Sequence, residues 1–333
     1  MYISLTLPKL STEYLRFFKQ IGVNHVDLYP SILPSYRREH IFKTEEVKAV
    51  IRKVREEGLE VAIFVAPTIR NFLLGKKSGK AEIERLKSFV KVVAREHVPL
   101  VHICIGCTEE GLRKGPAGVP GYYDIVHKER GGYVSRAFSV KLMEEELEKA
   151  CVNTPWKHHF EETLSFETFW TRCIEAYEEV IPIAEEYDIR LCTHFDDPPV
   201  NHPKLLPGIT SFRQIRDFLE EIKSRHVGIL FCCGTRYESG ENLYEQLEYF
   251  SNQGKIFHVH LRNVKGTIPS GGFIETFLDD GDIDIVKVLK ILKTAKYDKA
   301  INPDHFPKLI GDPEGYASRA WAVGYLKGIL SSL

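Results

Sequence analysis

Short apolar runs alternate with amphipathic stretches along almost the whole chain, and this alternation restricts the fold more than any other feature. The strand-like runs are 2–5, 25–28, 61–65, 100–105, 190–193, 227–231, 256–261 and 300–302. Between them the apolar residues recur with helical period, and Ser11, Thr44 and Thr210 or Ser211 stand where N-caps belong. Strands separated by helices pair in parallel, and eight such units predict a closed (β/α)8 TIM barrel. A doubly wound sheet is the competing arrangement, but it normally carries a glycine-rich phosphate turn after its first strand, and this chain has none there.

The alternation breaks once. Residues 106–160 are too long for an ordinary connection, with Gly and Pro clustered between Gly111 and Gly132 and charge concentrated in 144–149. No composition shift marks a separate domain. The expectation is one TIM-barrel domain over 1–333 with a long insertion at about 106–160, an elaborated loop with the character of a lid.

Composition narrows the function classes. A chain of 333 residues with 43% hydrophobic and 27% charged residues can bury a large core. Its net charge of −1, without a long basic run, offers no nucleic-acid surface. No apolar run is long enough to span a bilayer, and the N-terminus lacks the order of a signal peptide. Seven cysteines, an odd number, indicate reduced thiols and a cytoplasmic protein. Barrels of this size often pair, so a homodimer is the expected assembly.

In a barrel, chemistry gathers where strands end. His194, Cys232, His260 and Asp304 lie at the ends of the fifth to eighth strands. Imidazole, thiolate and carboxylate together suit a borderline transition-metal ion. Taken singly, each has an ordinary structural explanation, since buried cysteines and strand histidines are common. The repeated position in consecutive units is what points to one shared metal.

Neighbouring residues supply candidates for the reaction. Side chains alternate along a strand, so His258, His260 and Arg262 share a face. His258 lies deeper, as a layer residue or a support to the ligands. Arg262 lies toward the mouth, where a guanidinium suits a substrate carboxylate, unless Asp196 or Asp197 claims it as a salt bridge. Asp196 and Asp197 follow His194 and are candidates for orienting ligands or moving protons; turn capping is their structural alternative. His305 is a candidate acid or base, and Tyr316 reaches in from the last loop or else simply opens a helix. Cys104 and Cys107 form a C-x-x-C with no second pair, a weak metal signal.

These stretches bring a family into view. Thr193-His194-Phe195-Asp196-Asp197-Pro198-Pro199 resembles the HPDDPP motif of the D-mannonate dehydratases. Phe231-Cys232-Cys233-Gly234 resembles their FCxG, His258-Val259-His260-Leu261-Arg262-Asn263 their VHLRN, and Pro303-Asp304-His305 their PDH. Asp279-Asp280-Gly281-Asp282-Ile283-Asp284 is similar to their DGDVD, and the segment from Gly315-Tyr316 to Gly328 to their closing GY…YLxGL. The matches keep their order over 190–330. Their HP is His194-Phe195 here, Phe306-Pro307 replaces a Gly and a polar residue, and the N-terminal WYG stretch is missing. At best a remnant of NFMPVxDWTRT survives as Gly132-Tyr133-Val134-Ser135-Arg136-Ala137-Phe138.

The resemblance implies a xylose-isomerase-like barrel with Mn2+ on His194, Cys232, His260 and Asp304; Fe2+, Co2+ and Zn2+ are the other candidates. It places Arg262, His305 and Tyr316 at a sugar-acid substrate. The implied reaction removes water from D-mannonate to give 2-dehydro-3-deoxy-D-gluconate. The alternative is a metal-dependent sugar or sugar-acid isomerase or epimerase on the same barrel. A non-catalytic binder is expected if Phe195 and Phe306 block the mouth.

Overall fold

The computed structural model describes residues 1–105, 120–153 and 164–333. Cys107 of the C-x-x-C and the first half of the Gly/Pro cluster lie outside the described residues. Eight parallel strands close a barrel: β1 (Tyr2–Thr6), β2 (His25–Leu28), β3 (Glu60–Val65), β4 (Leu100–His102), β7 (Arg190–Thr193), β8 (Val227–Cys232), β9 (Ile256–His260) and β12 (Ala300–Asn302). Their spatial order is β1-β12-β9-β8-β7-β4-β3-β2, so each of the predicted runs takes its place in the ring.

Register sets the height of the site. Cys232 pairs with His260, and His260 with Asn302, which puts these strand ends on one level. Two residues earlier, on the same face of their strands, Cys192 and Leu230 pack with Ile63 and Leu100 in a separate apolar cluster. The floor beneath His194 and Cys232 is therefore apolar. Ser11 caps the helix Thr12–Gln20, and Ser211 caps Phe212–Ile222 with a full capping box. Thr44 is the first residue of its helix rather than the cap; Lys43 takes that place without a side-chain bond.

The stretch expected to be an elaborated loop contains a hairpin. β5 (Tyr122–His127) and β6 (Tyr133–Ser139) join β10 (Asn263–Thr267) and β11 (Gly272–Thr276) in an antiparallel sheet of order β10-β11-β6-β5. Tyr122 and Phe273 pack on Phe138 with ring centroids 5.1 and 5.5 Å away. Because side chains alternate, Arg136 and Glu275 lie on that same face, two residues further along β6 and β11. Among the described residues no helix is long and apolar enough to cross a membrane.

Candidate active site

Four barrel strands deliver the ligand candidates to one point. Nitrogen atoms of His194 and His260 and the Cys232 sulfur all lie within 4.8 Å of one another. Asp304 adjoins them, its Oδ2 3.4 Å from His260 Nδ1. That nitrogen is buried and makes no hydrogen bond in spite of its closeness to the carboxylate. Two lone-pair groups set side by side without bonding each other fit a shared cation between them, and two imidazoles, a thiolate and a carboxylate are a suitable donor set for a borderline metal.

Electrostatics favours the ligating forms of Cys232 and Asp304, whereas His194 would give up a proton to a bound cation. Burial opposes ionisation of Cys232, yet the Arg262 guanidinium and the His194 ring hold its thiol well below the usual range. Burial likewise opposes a charge on His194, but the Cys232 thiolate raises it to about 9. Asp304 is held well below the usual carboxylate range, against burial, by His260 and His305.

Beneath the ligands, the two His258 nitrogens face the Ala300 carbonyl at 3.3 Å and Asp27 Oδ2 at 2.7 Å. Asn302 Nδ2 donates to the same Asp27 oxygen at 2.6 Å. His258 thus supports the strand that carries His260. His194 is steadied from the side, its amide donating to His102 Nε2 at 3.2 Å.

The proposed reaction residues divide. His305 is in the site: its Nδ1 lies 2.8 Å from Glu275 Oε1 and its Nε2 3.0 Å from Asp304 Oδ2. Burial would lower its pKa, but these two carboxylates raise it to about 9. Asp197 is there too. Its Oδ2 accepts from Arg262 Nη2 at 2.7 Å and its Oδ1 from the Tyr122 hydroxyl at 3.5 Å.

Arg262 occupies the predicted face, but it is not presented to a substrate. Its Nη1 donates to Glu238, and its Nη2 to Asp197 and to Thr235 Oγ1 at 2.9 Å, leaving the side chain 2% exposed. A Cβ on Gly234 would stand 2.6 Å from Arg262 Cγ, so glycine there makes room for the guanidinium. The salt-bridge alternative, with Asp197, describes this geometry.

Asp196 is spent on the turn. Its Oδ2 accepts from the Ile209 amide at 2.8 Å, and burial lifts its pKa to about 6. Tyr316 is not brought to the site: its ring packs on Tyr14 and Phe17 of the first helix at 5.0 and 4.6 Å. The left-handed Gly315 turns the chain into the final helix Tyr316–Ser332, and the ring falls on the barrel's outer layer. Phe195 packs outward on Phe218, and Phe306 lies under Arg319, so neither ring is spent on closing the mouth.

Several residues at the site were missed by the sequence reading. Tyr29 follows β2 directly, and its hydroxyl is pushed well above its usual range by burial and by the charges of Asp304 and Asp27. The strand-end rule that found the ligands applies to it equally. Tyr122 and Glu275 come from the second sheet. Glu238 ends a short helix, Cys233–Glu238, six residues beyond the ligand candidate Cys232; burial pushes its pKa to about 8 despite Arg262.

Comparison with known proteins agrees with this picture. The family model for D-mannonate dehydratase (UxuA) matches residues 142–333. A mannonate dehydratase of Streptococcus suis is 25% identical over 308 residues, covering 86% of this chain and 81% of that protein. The crystal structure of mannonate dehydratase from Streptococcus suis serotype 2 superposes with a TM-score of 0.81 at 24% identity, over 99% of this chain and 93% of that one. A xylose isomerase domain protein from Planctomyces limnophilus shares the fold at a TM-score of 0.60 and 13% identity, covering 98% of this chain and 96% of that one. With its family model spanning more than half of its length, the chain belongs to the D-mannonate dehydratase (UxuA) family.

Proposed function

We propose that this protein dehydrates D-mannonate to 2-dehydro-3-deoxy-D-gluconate with a divalent ion held by His194, Cys232, His260 and Asp304. The observation that carries the reading is the approach of three of these ligand atoms within 4.8 Å, with Asp304 beside His260, in a chain of this metal-dependent family. Mn2+ is the proposed ion, with Fe2+, Co2+ and Zn2+ as competitors for the same donors. Bound there, it supplies Lewis acidity that eases loss of a proton next to a carboxylate.

The chain's own groups divide the proton work. Asp197 is kept ionised, against burial, by Arg262, and is assigned the C2 proton. His305, charged between Glu275 and Asp304, gives a proton to the departing C3 hydroxyl, which leaves as water. The remaining enol ketonises to the 2-keto acid. Arg262 acts through Asp197 and Cys232 rather than on the substrate.

The test is incubation of the Mn2+-loaded protein with D-mannonate, followed by mass spectrometry and a 2-keto-3-deoxy acid assay. A product lighter by one water supports the reading. A product isomeric with the substrate transfers the site to isomerase or epimerase chemistry, which the shared fold accommodates.

A further inference from the structure

We propose that Arg136, on the hairpin laid beside the barrel mouth, binds the carboxylate of the sugar-acid substrate and makes the site selective for anionic ligands. The inference rests on the aldonate reading above. It begins from the lining of the mouth. Asp197, Glu275 and Asp304 stand around the proposed ion and are bonded to Arg262 or His305, so a substrate carboxylate arriving there is matched by a guanidinium whose donors are open. Arg262 is unavailable, because Glu238, Asp197 and Thr235 engage its terminal nitrogens and its unpartnered Nε is buried.

Arg136 stands differently. Its Nε donates to Glu275 Oε2 at 3.3 Å, and among the described residues its two terminal nitrogens have no hydrogen-bond partner. The side chain is 35% exposed, against 2% for Arg262. Glu275, which Arg136 touches, also accepts from His305 at 2.8 Å, so the guanidinium is one carboxylate away from the proposed proton donor. Its charge also reaches Asp197 and His305.

The position on the sheet is what aims it. β6 and β11 run antiparallel with Phe138 opposite Phe273 and Ala137 opposite Ile274, and one step beyond these pairs Arg136 meets Glu275 through its side chain. The Phe138–Phe273 stack anchors the strand pair two residues away, so the guanidinium is held by its Nε edge with its fork free. A planar fork with two parallel N–H donors matches a carboxylate, which a point charge does not.

Calorimetry of D-mannonate and D-gluconate with the Mn2+-loaded protein tests this, with D-mannitol as the uncharged probe. In Arg136→Gln, aldonate affinity should fall roughly ten- to a hundredfold, the loss of a charge-assisted contact, with D-mannitol binding and metal content unchanged. Arg136→Lys should recover part of the aldonate affinity. Equal aldonate affinity in wild type and Arg136→Gln overturns the inference, as does an equal loss for D-mannitol, which marks a structural role. If Arg136-dependent aldonate binding is found without formation of a ketodeoxy acid, the inference stands and the dehydratase reading falls.

Discussion

Arg262 Nη2 donates to Asp197 Oδ2 across 2.7 Å and so ties the end of β9 to the turn after β7. The guanidinium is 2% exposed and the carboxylate 14%, so each depends on the other for its charge. Replacing Arg262 by Met leaves Asp197 unpaired, whereas Glu238, already pushed up to about 8, can take up a proton. Breaking a buried pair from one side costs about 3–5 kcal/mol. Urea unfolding of Arg262→Met should show a loss of that order, and Arg262→Met with Asp197→Asn should recover part of it. A single variant as stable as wild type would remove the pair from the account of the site.

Tyr29, which had no expected role, lies nearer the ligand candidates than Tyr316 does. Tyr316 packs on Tyr14 and Phe17, away from the ligands, while the Tyr29 hydroxyl feels Asp304 and Cys232. Tyr316→Phe should leave kcat/KM for D-mannonate within about twofold, because only a peripheral hydroxyl is lost. Tyr29→Phe should lower it on the order of tenfold, the scale of a contact to a charged group. Steady-state kinetics on the two variants decides the matter, and the reverse ranking would restore Tyr316 to the site.

The barrel and the cluster of ligand candidates were legible because both follow from local pattern. Short apolar runs at regular spacing give parallel strands, and the residues at or just past their C-terminal ends gather at the mouth whatever the distant chain does. Thus His194, Cys232, His260 and Asp304 could be chosen without knowing any long-range contact. The second sheet was not legible for the opposite reason. β6 pairs with β11, more than a hundred residues later, and β5 alternates too weakly to mark itself beside a Gly/Pro-rich stretch. Tyr122, Arg136 and Glu275 were therefore hidden with it. Arg262 was placed on the right face, but its partner Glu238 sits on a single helical turn with no periodic signature.

Asp27 sets part of the acid limit of the fold. It is 1% exposed, and burial alone would raise its pKa, yet His258 above all, with Asn302, holds it below the unfolded value near 3.8. Below that value the unfolded chain binds the proton and the folded one does not. The contribution is therefore present above pH 3.8 and is lost as pH falls through the lower folded value. Asp27→Asn should be less stable than wild type at pH 7 and should lose less on acidification. Urea midpoints measured between neutral and strongly acidic pH show this as converging curves; parallel curves would mean that folding leaves the Asp27 pKa unshifted.

Metal loading should be visible without any substrate. A ligand that binds only the folded state stabilises it by about 2.7 kcal/mol at a hundred times its Kd. The apo protein must hold an ionised Cys232 beside His194 and Asp304 beside His260 with no cation among them, so the gain from a divalent ion falls on this cluster. Chelation should therefore lower the melting temperature and Mn2+ should restore it. Cys232→Ser removes the soft anion and should weaken the shift, whereas Cys233→Ser changes a thiol buried on the neighbouring position and should keep the Mn2+ response even if the basal melting point drops. A divalent-ion shift of the same size in Cys232→Ser, or none in wild type, would leave the four strand ends without a common ion and take the proposed chemistry with it.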